Sequence, residues 1–252
     1  LMAASLAAAP AAPTGAPTAP AEENTAAEDV ATINGKGYKS FDAAVNAAQS
    51  GDTIEVIKDA TSTGIDLQNK NLTIKGTAQT VTTTTDSGTE EKTTVKPKLK
   101  FVAKDGQPKI FGITLRGSNL TFQNMDVDMT GASSTTYNNW NAVCMSGDAA
   151  LTLKSTDLFM NGKGLDERKD QEILKPHGIY MAGRGRNELN VDDHSTLTIN
   201  NYYNAIAWDG VGNKDSIYYI NIKDGSTFTA DGNEAGIVGL ESLDVLVEDS
   251  TM

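Results

Sequence analysis

Apolar and polar residues alternate in short bursts along this chain. Pairs of the form apolar-x-apolar recur at Leu72/Ile74, Leu120/Phe122, Leu151/Leu153, Leu189/Val191, Ile220/Ile222 and Val245/Val247. A period of two marks strands with one buried face. Several pairs run into a polar corner with nearly one spelling: VDDHSTL at 191–197, IKDGSTF at 222–228, the one-residue-shorter VEDSTM at 247–252 and a degenerate LKSTDL at 153–158. Asp193, Asp224 and Asp249 therefore share one station, where short polar side chains satisfy turn backbone. After the corner a second rank follows, Val127/Met129, Leu158/Met160, Leu197/Ile199 and Phe228/Ala230, and then a third headed by Val143, Ile179, Ile206 and Ile237. Self-similarity at 25 to 38 residues is the mark of a solenoid. The pattern predicts an all-β chain, a right-handed parallel β-helix with three strands per coil and like residues stacked ~4.8 Å apart.

One stretch has a different period. Phe41, Ala44, Val45 and Ala48 fall at i, i+3, i+4 and i+7, with Ser40 as N-cap and Gly51 as a stop. This predicts a short helix that covers the first coil, followed at once by a strand with Ile54 and Val56 on one side. Excess length collects between the second and third ranks, at 131–141 and 161–177, and shrinks to 200–204 and 231–234. These loops leave from one edge, where binding residues usually sit on a rigid scaffold. A Thr-rich excursion at 77–97, with Asp86-Ser87-Gly88 at its centre, reads as a protruding hairpin in preference to an unstructured flap.

Residues 1–29, rich in Ala, Pro and Thr, read as the remnant of an export signal followed by a disordered linker, and 30–252 as one β-helix domain cut within a repeat. No later stretch reaches the ~18 apolar residues of a membrane span. With 21 basic and 33 acidic residues the net charge is −12, which repels a phosphate backbone and excludes nucleic acid as a partner. The lone Cys144 excludes an internal disulfide. Export without disulfides points to a bacterial secreted or surface protein.

The segment Ile33-Asn34-Gly35-Lys36-Gly37-Tyr38, with SFDAAVNAAQSGDTIEV at 40–56, resembles the N-terminal cap of pectin-lyase-like right-handed β-helices in Gram-positive surface proteins. The remaining coils resemble that superfamily by pattern alone. The resemblance implies the fold more than the function, because the group includes adhesins, lyases, hydrolases and tailspikes. Polygalacturonase-like hydrolases order Asn-Thr-Asp, Asp-Asp, Gly-His-Gly and Arg-Ile-Lys. Here Pro176-His177-Gly178 precedes Asp192-Asp193 and no Arg-Ile-Lys occurs. That order speaks against the family's hydrolytic mechanism.

Asp192-Asp193-His194 looks like an acid/base or metal cluster, but Asp193 repeats as a corner residue and His194 is replaced by Gly225 in the next coil. A structural role is expected there. Asp126 and Asp128 flank inward Val127 and face outward, with Asp157 one rung away; three close carboxylates would repel unless a cation such as Ca²⁺ joined them. Lys175, His177, Arg184 and Arg186 supply cations beside the third rank, as a uronate lyase would need. Trp208 falls in the inward rank with Met145 and Met181, whereas Tyr180 lies on the outward parity. Tyr137, Trp140, Tyr202 and Tyr203 sit on the edge loops, where exposed rings can stack on sugars or else anchor the loops. The run 166–172 reads as a solvated helical turn. Taken together, the sequence predicts a non-catalytic surface adhesin for glycans or host-surface molecules, with ligand contacts expected at Tyr137, Trp140, Tyr180, Tyr202 and Tyr203. The alternatives are a Ca²⁺-dependent polysaccharide lyase or glycoside hydrolase using Asp126, Asp128 and Asp157, and a structural stalk.

Overall fold

The first apolar rank folds into a nine-stranded sheet. In the computed structural model, which describes residues 28–107, 109–133, 141–162, 176–209, 216–239 and 243–252, this sheet runs from Lys36–Tyr38 and Ala31–Ile33 through Thr53–Val56, Leu72–Gly76, Asn119–Gln123, Ala150–Lys154, Gly185–Asp192 and Ser216–Ile222 to Leu243–Val247. From Thr53–Val56 onward every pairing is parallel. The register stacks like on like: Ile54, Ile74, Phe122, Leu153, Val191, Ile222 and Val247 form one column. A second column is Leu72, Leu120, Leu151, Leu189, Ile220 and Val245. A one-residue slip would turn both columns to solvent, so burial enforces the register. The other face carries Glu55, Lys75, Gln123, Lys154 and Asp192 in one column, where opposite charges meet and equal charges are spaced by Gln123.

The second and third ranks share a single ten-stranded sheet. Leu99, Val127, Leu158, Leu197 and Phe228 are aligned across it, as are Ile65, Ile113, Val143, Ile179, Ile206 and Ile237. Separate strands were expected for the two ranks. Instead, Thr196–Asp209 and Thr227–Gly239 each run through both without a break. The connection at 200–204 is so short that the corner survives only as pairing irregularities between Asn200, Tyr202 and Asn204. Ile65–Gln68 and Ile113–Arg116 belong to the third rank although the repeated corner phrase does not precede them.

The corner station is conformationally uniform. Asn124, Ser155, Asp193, Asp224 and Asp249 have φ of 54°, 46°, 53°, 52° and 49°. This is the left-handed region, which Asn and Asp tolerate better than most residues. Immediately after it the Ser of each phrase turns inward. The Ser195 hydroxyl accepts the Thr156 N–H, Ser226 accepts that of Ser195, and Ser250 accepts that of Ser226, each at 3.1 Å. Ser195 and Ser226 are buried. The repeated Ser is thus a hydrogen-bonding rung that ties one strand to the next, which buried backbone N–H groups require.

One end is covered as expected. The helix Phe41–Ala47 starts at Ser40, whose hydroxyl accepts the Ala43 N–H at 3.2 Å, and buries Phe41, Ala44 and Val45. Asp42 fastens it to the neighbouring strand by accepting from the hydroxyls of Ser62 and Thr63 at 3.0 and 2.6 Å. The opposite end is edged by Leu243–Val247, whose Val245 and Val247 are exposed. The excursion at 77–97 is a hairpin, Gln79–Thr84 against Glu90–Val95, exposed on both faces.

Candidate functional site

The outward face of the second rank carries the aspartates singled out from sequence. Asp126 is in register with Lys98 on one side and Asp157 on the other, and Asp128 with Lys100 and Phe159. Burial, and next the Asp157 carboxylate, lift the Asp126 carboxyl above the usual range, against the pull of Lys96 and Lys98. Asp128 goes the other way. Burial alone would raise it, but hydrogen bonds from the Thr130 hydroxyl and backbone N–H, the latter at 3.0 Å, together with Lys98, hold it low. Lys98 Nζ is 3.5 Å from Asp128 and Lys96 Nζ is 3.6 Å from Asp157.

Lysine side chains therefore offset part of the like-charge repulsion, and Asp126 remains raised. Among the described residues no group of three His, Cys, Asp or Glu is placed to hold a metal ion. Asp126, Asp128 and Asp157 do not converge into the expected cation site. Of the cations suggested for lyase chemistry, Arg186 lies elsewhere: it belongs to the nine-stranded sheet, pairs with Glu188 and covers the Tyr219 ring at 4.2 Å. Lys175 and the run 166–172 fall outside the described residues. At the corner, Ser155 donates to Asp193 at 2.6 Å and keeps its carboxyl low, in keeping with a structural role for that station.

The edge between the second and third ranks gathers rings. His177 opens the strand His177–Ala182 and stacks on Tyr180, with centroids 5.6 Å apart and planes within 15°. Tyr203, on the next strand, lies 6.0 Å away and tilted by 52°. Both tyrosines are half-buried, so they combine an outward position with a fixed ring plane. Tyr202 is a correction. It is fully buried and its hydroxyl donates to the Ala132 carbonyl at 3.0 Å, so its ring offers no face to a ligand. The cause is the unbroken strand: counting back by twos from inward Ile206 reaches Asn204 and Tyr202. Tyr137 and Trp140 lie outside the described residues. Trp208 aligns with Met181, which aligns with Met145, and it packs against the core as its parity requires.

His177 was noted in the sequence only as one cation among several. Burial drives its imidazole down to about 4, so it is neutral at neutral pH. Its backbone N–H donates to Asn141 Oδ1 at 3.0 Å and it is in register with Asn204. His177 Nδ1 and Asn204 Oδ1 are buried without a hydrogen-bond partner. Two signals were legible in advance: His177, Asn204 and Asn141 share the parity of Ile179, Ile206 and Val143, and the rings lie three residues apart. Chemically the cluster can stack on a ligand face and hydrogen-bond neutral ligands. Comparison with protein-family models, curated proteins and solved structures finds no match to this chain.

Proposed function

We propose that this chain is a right-handed parallel β-helix from an exported bacterial surface protein of pectin-lyase-like type, and that it binds glycans or host-surface molecules without catalysis. The observation that carries the reading is the His177, Tyr180 and Tyr203 cluster at the edge from which the long loops leave. Aromatic faces held in place by a rigid sheet suit the apolar faces of sugars, and they lose little side-chain freedom on binding. The in-register parallel ranks and the covering helix support the fold part of the reading. Among the described residues no helix is long and apolar enough to cross a membrane.

A glycan-array screen with and without Ca²⁺ tests the reading. Binding to a defined glycan class, reduced at least tenfold by Tyr180→Ala with Tyr203→Ala, is the expected result. Signals unchanged by those substitutions and by Tyr137→Ala with Trp140→Ala remove the edge and leave a structural stalk. Turnover of an acidic polysaccharide that disappears in Asp126→Ala would replace binding by catalysis.

A further inference from the structure

A second feature lies away from the aromatic edge, where the covering helix meets the second rank. A cavity of about 400 Å³ opens there, with Val30, Phe41 and Ala60 among its apolar walls and Lys39, Lys98 and Lys100 at its margin. That volume is in the range of small-ligand sites. Lys98 and Lys100 point outward from one strand on either side of Leu99, and Thr61 is in register with Lys100. Three lysines around one concavity stand out in a chain of net charge −12.

The existing partners of these lysines do not close the site. Lys39 meets Asp29 at 3.1 Å with side chains 60% and 39% exposed, and Lys98 meets Asp128 at 3.5 Å from a side chain 51% exposed. The exposed Lys39 pair contributes little and its flexible ammonium can exchange one anion for another at small cost, whereas Lys98 keeps the 19% exposed Asp128 carboxylate as a competing partner. Asp59, the carboxylate in the lining, is already engaged by the Lys98 backbone N–H at 2.8 Å. Lys100 has no ion pair among the described residues.

We propose that this cavity binds a small organic anion, with its oxyanion held between Lys98, Lys100 and Lys39 and its apolar body against Val30 and Ala60. The site is independent of the aromatic edge. The lysines act as point charges that select an oxyanion, and the apolar walls select what carries it.

Titration of the full chain with phenyl phosphate, phenyl sulfate, benzoate, phenol and inorganic phosphate, followed by amide NMR, tests it. Saturable shifts at Thr61, Lys98 and Lys100 are expected with at least one aryl anion, falling with added salt. The identity of that anion separates phosphate or sulfate esters from carboxylates. Lys98→Gln with Lys100→Gln should weaken binding at least tenfold, and Lys39→Gln should weaken it less, whereas Lys154→Gln with Lys223→Gln and Tyr180→Ala with Tyr203→Ala should leave it unchanged. Equal binding of phenol, equal binding of inorganic phosphate alone, undiminished affinity in the double lysine variant, or no saturable shift with any aryl anion would each overturn the proposal.

Discussion

Replacing Ser195 by Ala tests whether the repeated Ser is a rung or only a turn residue. Its hydroxyl makes two bonds, donating to the Asp192 carbonyl at 2.5 Å and accepting the Thr156 N–H at 3.1 Å. The losses are unequal. The Asp192 carbonyl keeps the Ser195 N–H at 3.2 Å, so losing the first bond costs about 1 kcal/mol. The Thr156 N–H belongs to a fully buried residue and would be left with no acceptor, which adds about 1–3 kcal/mol. The expected sum is about 3 kcal/mol, or roughly 6–12 °C in Tm for a chain of this size. Ser226→Ala should cost less, about 1 kcal/mol, because the Ser195 N–H retains the Asp192 carbonyl. Thr198→Ala on the outward face gives up strand preference alone, at most about 1 kcal/mol. Urea unfolding followed by tryptophan fluorescence reads the totals, and amide exchange at Thr156 reads the local effect. A Ser195→Ala loss no larger than that of Thr198→Ala, or Thr156 protection unchanged, refutes the rung.

Other expectations follow from the same geometry. Leu151→Ala, buried in the column between Leu120 and Leu189, should cost about 3 kcal/mol by denaturant unfolding, whereas Thr152→Ala beside it should cost far less. Asp224 in its protonated form can share its proton with the Asp192 carboxylate, and when ionised it is repelled by Asp192 and by Glu248, which raises its carboxyl above the ordinary value. A raised carboxyl destabilises the fold when ionised, so Asp224→Asn should raise Tm at neutral pH, with the gain disappearing as pH falls to the unfolded-state value near 4. His177 has the opposite linkage for a base: its folded value, about 4, lies below the unfolded 6.5. Stability should therefore fall between pH 6.5 and 4 by up to about 3 kcal/mol, and His177→Gln should flatten that part of the profile. A His177 ring signal that titrates near 6.5 by NMR contradicts the burial argument.

The apolar ranks were legible because alternation gives each strand an inside and an outside, and stacking repeats that choice from one rung to the next. Leu151 or Ile179 could be placed from sequence alone for this reason, and Asp126 could be set one rung from Asp157. Corners were harder. The Ser of the repeated phrase was read as turn chemistry, since nothing in a local pattern says that the chain folds its hydroxyl inward to meet the rung below. Tyr202 was placed on a loop because 200–204 aligns with longer loops in earlier coils. A loop shortened that far ceases to be one, and strand parity takes over, sending Tyr202 into the core and leaving Tyr203 at the surface. The three aspartates show the limit of reading one face in isolation. Stacking sets Asp126 against Asp157, whose charge helps to raise it, while the partial relief comes from Lys96 and Lys98, which lie beyond the hairpin and reach the same face only once the second rank is assembled. Charge balance in a stacked fold is set across rungs, so an acidic cluster in such a chain has to be judged with the rungs on both sides before a metal is invoked.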